Sequence, residues 1–186
     1  MKTYIFSNCK KTDNKTFAKN LLARVPKNSQ LILLNRGNVY FQIPEFKQYP
    51  NQIFICRQYS VFGIDGYFGT DQLCSHSGIR PFHTIVMFKP IFGTGKAQLI
   101  IGKRDQSPEH REIEIPWMKT YTDATGKDAT SGYSAYYLVQ QLFNVKPEDI
   151  ILVNFYGNED NSTNKYKGHD WSFEDKWNKD KMRLFL

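Results

Sequence analysis

Five stretches of this chain are apolar almost without interruption: Tyr4-Ile5-Phe6, Leu31-Ile32-Leu33-Leu34, Ile53-Phe54-Ile55-Cys56, residues 84–88 and Ile150-Ile151-Leu152-Val153. A strand with one wet face alternates apolar and polar residues, and these do not. Such runs belong to a sheet covered on both faces, the usual setting of parallel strands. Most are followed by polar or turn-forming residues: Ser7-Asn8, Asn35-Arg36-Gly37, Arg57 and Asn154.

The intervening sequence supplies helices. Phe17, Leu21 and Leu22 form a short stripe that Pro26 closes. Ala135, Leu138, Val139, Leu142 and Phe143 recur at helical spacing behind Thr130-Ser131, residues suited to capping a helix start. Pro147-Glu148-Asp149 reads as a turn. Ser172-Phe173-Glu174-Asp175 has the form of a capping box and predicts a last helix running through Trp177. Residues 97–101 and 112–115 read as further strands, the second alternating as at an edge or in a hairpin. Residues 60–80, rich in glycine, serine and aromatics, read as a long loop. Helix, buried strand and polar loop in succession make half of a parallel α/β unit. The expected fold is therefore α/β: a single Rossmann-like domain over residues 1–186, with a mostly parallel sheet flanked by helices.

Charge narrows the partners. The formal net charge is +7 and the isoelectric point about 9.2, which favours anionic ligands. The basic residues are scattered rather than blocked, so no nucleic-acid arm is expected. No apolar run reaches the length of a membrane span, and the N-terminus reads as a strand rather than a signal peptide. Cys9, Cys56 and Cys74 are odd in number and lack metal-type spacing, which fits reduced thiols in a cytoplasm. His76, His83, His110 and His169 share no zinc spacing, so no metal is expected. Gly93-Thr94-Gly95-Lys96 has the look of a phosphate loop, but Ala97 stands where that motif needs serine or threonine.

In open parallel sheets, ligands sit beyond the carboxyl ends of the strands. Asn8, Asn35, Arg57 and residues 154–157 follow such ends, and Arg36 and Arg57 are suited to neutralising a phosphate or a carboxylate. The helix opening at Ser131 offers N–H groups and a positive dipole end to a phosphate. His169 lies in the polar loop after the last strand, beside Asp170, which is placed to orient it. Histidine titrates near neutrality and commonly serves as a general base. Tyr133, Tyr136 and Tyr137 read as helix-packing residues.

Ala129-Thr130-Ser131-Gly132-Tyr133, the helix behind it, residues 150–156 and Gly168-His169 together resemble the second half of the bacterial sialyltransferases of glycosyltransferase family 42. The resemblance is loose over the whole chain and closer over residues 129–171. It implies a metal-free enzyme with no cofactor beyond a nucleotide-sugar donor of the CMP type and a glycan acceptor. By position, Thr130, Ser131 and Gly132 would hold the nucleotide, Asn8 and Asn35 would contact it, and His169 would be the base. It leaves open a peripheral contact with a membrane to reach a lipid-linked acceptor. Phe6-Ser7-Asn8-Cys9-Lys10 replaces the family's glycine-rich start, and Val153-Asn154-Phe155 lacks its aspartate. These departures motivate the alternative, a non-catalytic nucleotide- or sugar-binding module of the same fold.

Overall fold

In a computed structural model of the chain, the structure describes residues 1–6, 15–34, 43–57, 84–103, 106–153, 155 and 168–181. The apolar runs form strands β1 (Thr3–Phe6), β2 (Gln30–Leu34), β3 (Asn51–Arg57), β4 (Thr84–Ile91) and β7 (Ile150–Val153). With β5 (Lys96–Lys103) and β6 (Glu109–Glu114) they join one sheet in the order β6-β5-β4-β3-β2-β1-β7. β7, β1, β2, β3 and β4 are mutually parallel. β5 and β6 continue the sheet antiparallel, as a meander.

Helices cover both faces, as the unbroken apolar runs require. On one face, Ile5, Ile32, Ile53, Val86 and Leu152 pack with residues of α2 (Pro116–Thr125), α3 (Ser131–Phe143) and α4 (Trp171–Lys181). On the other, Tyr4, Phe6, Leu31, Leu33, Ile151 and Val153 meet Ala18, Leu21 and Leu22 of α1 (Lys15–Ala23). Each fully buried aliphatic side chain stabilises the fold by about 1.5–3 kcal/mol. Phe46 and Tyr49 complete the α1 side. The Tyr49 hydroxyl lies 2.7 Å from Leu22 O and 2.9 Å from Val25 O, and satisfies carbonyls at the end of α1.

Two local readings change. A helix, α2, follows β6 directly where the sequence pattern indicates only a strand through residue 115. Pro116 opens it without losing a needed N–H, and Gly126 closes it at φ +66°. α4 begins at Trp171, capped by Asp170 rather than Ser172: the Phe173 N–H donates to Asp170 Oδ1 at 2.9 Å. Gly93-Thr94-Gly95 lies in the β4–β5 hairpin connection and Lys96 opens β5, with both glycines at positive φ. α3 follows its expected course. Thr130 Oγ1 accepts from the Tyr133 N–H at 3.2 Å, and Asn144 ends the helix in the left-handed region at φ 53°. Among the described residues, no helix is long and apolar enough to cross a membrane.

Candidate functional site

Phe6 and Val153 are paired in register, so β1 and β7 end side by side. The chain leaves β1 for α1 on one face of the sheet and leaves β7 for α4 on the other. Where neighbouring parallel strands send their connections to opposite faces, a crevice opens at the carboxyl edge, the usual place for a ligand. α3 runs into β7 through residues 144–149, so its first turn lies at this same edge. Phe155, just past β7, confirms it: a Cβ added to Gly132 would stand 2.3 Å from Phe155 Cε1. Gly132 is thus glycine because an aromatic ring covers it.

Two segments meet beside that turn, the approach to α3 and the start of α4. His169 Nδ1 lies 2.6 Å from Asp128 O. A carbonyl only accepts, so Nδ1 carries the proton and, in the neutral ring, Nε2 keeps its lone pair. His169 is 8% exposed and meets Trp171 edge-on at 5.7 Å. Thr130 N–H donates to Glu174 Oε1 at 2.8 Å, and Thr130 Oγ1 donates to Glu174 Oε2 at 2.5 Å. The Glu174 carboxylate is only 4% exposed and occupies the positive end of α3. Lys127 Nζ donates to His169 O at 3.4 Å and stands 3.9 Å from Asp170 Oδ2. The Asp170 N–H donates to the Tyr121 hydroxyl at 3.0 Å.

Behind these groups lies an aromatic layer. Tyr133 packs against Tyr121, Tyr137 and Trp177 at 4.7–5.0 Å between ring centres. Trp177 Nε1 donates to the Tyr137 hydroxyl at 3.2 Å. Burial, followed by the Glu174 charge, pushes the Tyr121 hydroxyl well above its ordinary range. Burial, followed by Tyr137, does the same for Tyr133. Both phenols are therefore neutral donors or acceptors at physiological pH, and the packing role expected for Tyr133, Tyr136 and Tyr137 matches their burial.

Thr130, Ser131, Gly132 and His169 are thus brought to one rim. Asn8, Asn35 and Arg36 lie outside the described residues, as do Cys9, Cys74, His76 and His83. Arg57 ends β3. His110 lies exposed on β6, away from this rim. Among the described residues, no cluster of three or more His, Cys, Asp or Glu side chains could hold a metal ion. Asp170, expected to orient His169, instead caps α4, and the Asp128 carbonyl is the bonded partner of Nδ1. Glu174 and Phe155 are the site residues that sequence reasoning missed. In the capping-box reading Asp175 is the acid and Glu174 only an intervening residue, and nothing within its own helix marks Thr130 as its partner.

Comparisons of the chain with protein-family models, with curated proteins and with solved structures return no match.

Proposed function

We propose that this chain is a Rossmann-like, glycosyltransferase-type protein that takes a nucleotide-activated sugar, of the CMP type, at the β1/β7 crevice. The observation that carries the reading is the His169 Nδ1 bond to Asp128 O, two residues before the cap of α3. It presets the tautomer a general base needs. In this scheme His169 Nε2 takes the proton from an acceptor hydroxyl. The resulting oxygen forms its bond to the anomeric carbon, and the bond to the nucleotide phosphate breaks. The leaving phosphate lies against the Ser131-Gly132 turn, beside the N–H group that Glu174 already holds. Asn8 and Asn35 contact the nucleotide, and a glycan supplies the hydroxyl. Neither a metal nor a further cofactor enters the scheme. His169→Ala is expected to abolish transfer and to leave CMP binding within a few-fold of the parent. Undiminished turnover in that variant would remove the base.

A second reading, a binding module without turnover, is favoured by one feature of the rim. Thr130 already spends its N–H and hydroxyl on Glu174, and Phe155 already covers Gly132. Thermal-shift measurements with CMP, UDP, GDP and ADP, followed by transfer and hydrolysis assays, separate the two. Stabilisation by a nucleotide without turnover selects the module. No stabilisation by any of the four discards both readings.

A further inference from the structure

We propose that Glu174 is a positioning residue that sets the tautomer of His169 by locking the approach to α3 against the start of α4. This rests on the reading of His169 as a base, but the geometry behind it stands separately. Residues 127–130 and 169–174 lie alongside each other, and four hydrogen bonds are among the contacts that join them. Lys127 Nζ reaches His169 O at 3.4 Å from a partly exposed position, which makes it the weakest. His169 Nδ1 reaches Asp128 O at 2.6 Å, and this is the bond whose alignment matters. The other two run from the N–H and hydroxyl of Thr130 to the two oxygens of Glu174, at 2.8 and 2.5 Å.

The Glu174 pair is charge-assisted and almost fully buried, the class of hydrogen bond that contributes most. Asp128 O is two residues along the backbone from the Thr130 N–H that Glu174 holds. The start of α4 is also held by the Tyr121 hydroxyl, which accepts from Asp170 N–H at 3.0 Å, but that contact ties α4 to α2. It does not fix α4 against residues 128–130. Glu174 therefore holds the backbone that presents this carbonyl to the imidazole. A small misplacement of a catalytic group is costly, which is why supporting residues of this kind matter.

The test reads the histidine ring directly and needs no ligand. Nitrogen-15 NMR of the imidazoles, with His169 assigned by its loss in His169→Gln, reports which nitrogen carries the proton. Four histidines make the spectrum tractable. In the parent, above the titration of the ring, Nδ1 should resonate as protonated and Nε2 as bare. Glu174→Ala should shift both signals towards each other as the proton spreads over both nitrogens. Glu174→Gln, which keeps one oxygen acceptor, should fall between. Thr130→Ser should match the parent, whereas Thr130→Val, which lacks the hydroxyl, should move with Glu174→Gln. Should Glu174→Ala fail to fold, as judged by tryptophan fluorescence, the Gln and Val variants decide. Folded variants with the parental tautomer would overturn the proposal. Failure of CMP to bind would discard the proposed function and leave the tautomer result intact.

Discussion

At the scale of single residues, Gly132 is the most sharply constrained position described. A methyl group there would press into the Phe155 ring, so the ring or the helix would have to shift. Gly132→Ala is expected to cost about 1–3 kcal/mol, the ordinary penalty for overpacking. Urea denaturation measures it. Phe155→Ala made in the same chain should relieve the clash, so the two substitutions together should cost less than their sum. Strict additivity would place the ring elsewhere. The sequence displays a glycine at a helix start, and that much is legible. The aromatic partner comes from beyond the next strand, and no local pattern reveals it. The same holds for Glu174: its helix is legible, but its partner on α3 is set by tertiary packing.

At the scale of elements, α3 is fixed at both ends by backbone chemistry. Asn144 takes a left-handed conformation at φ 53°, which asparagine tolerates and β-branched residues do not. Asn144→Gly should therefore leave the melting temperature near its parental value, while Asn144→Val should cost about 1–2 kcal/mol. Equal stability of the two variants would show that the helix does not end there. α3 was readable because its apolar stripe spans three turns. α2 was not, because its inward side is short. Its buried residues are Met118 and Tyr121, one turn apart, too few to establish a period. The strand before it also runs into Pro116 with no polar break. α4 was found by its capping residues but misplaced by two positions, since Asp170 and Ser172 are both good caps and the Phe173 N–H bonds to Asp170.

At the scale of the whole molecule, the parallel part of the sheet was the most legible feature. Unbroken apolar runs require cover on both faces, and both faces are covered. The order of strands was not legible, because each run would pair acceptably with several others. Burial of several phenols has a consequence for alkaline stability. Tyr49 is pushed up to about 12, mainly by burial, and Tyr121 and Tyr133 are also raised. In the unfolded chain a phenol ionises near about 10. Above that pH the unfolded state sheds protons that the folded state keeps, so stability falls as pH rises. It is fully present below about 10 and is lost on the way to the folded values, at up to about 1.4 kcal/mol per pH unit for each phenol. Melting temperatures should hold from pH 7 to 9 and drop between 10 and 12. Tyr49→Phe should drop less over that window, though from a lower start because a buried hydroxyl is gone. A flat profile across the window would contradict the burial of these rings.

β6 carries Glu109, His110, Arg111 and Glu112 at the outer margin of the sheet, all exposed. Unpaired backbone on such a margin is a template for recruiting a strand from another molecule. Side chains of both signs, each needing its own water, make a dry cross-molecular seam there costly. The protein can therefore be crowded without fibres growing from this side. Replacing His110 and Glu112 together with valine should leave the monomer folded and make concentrated solutions scatter light.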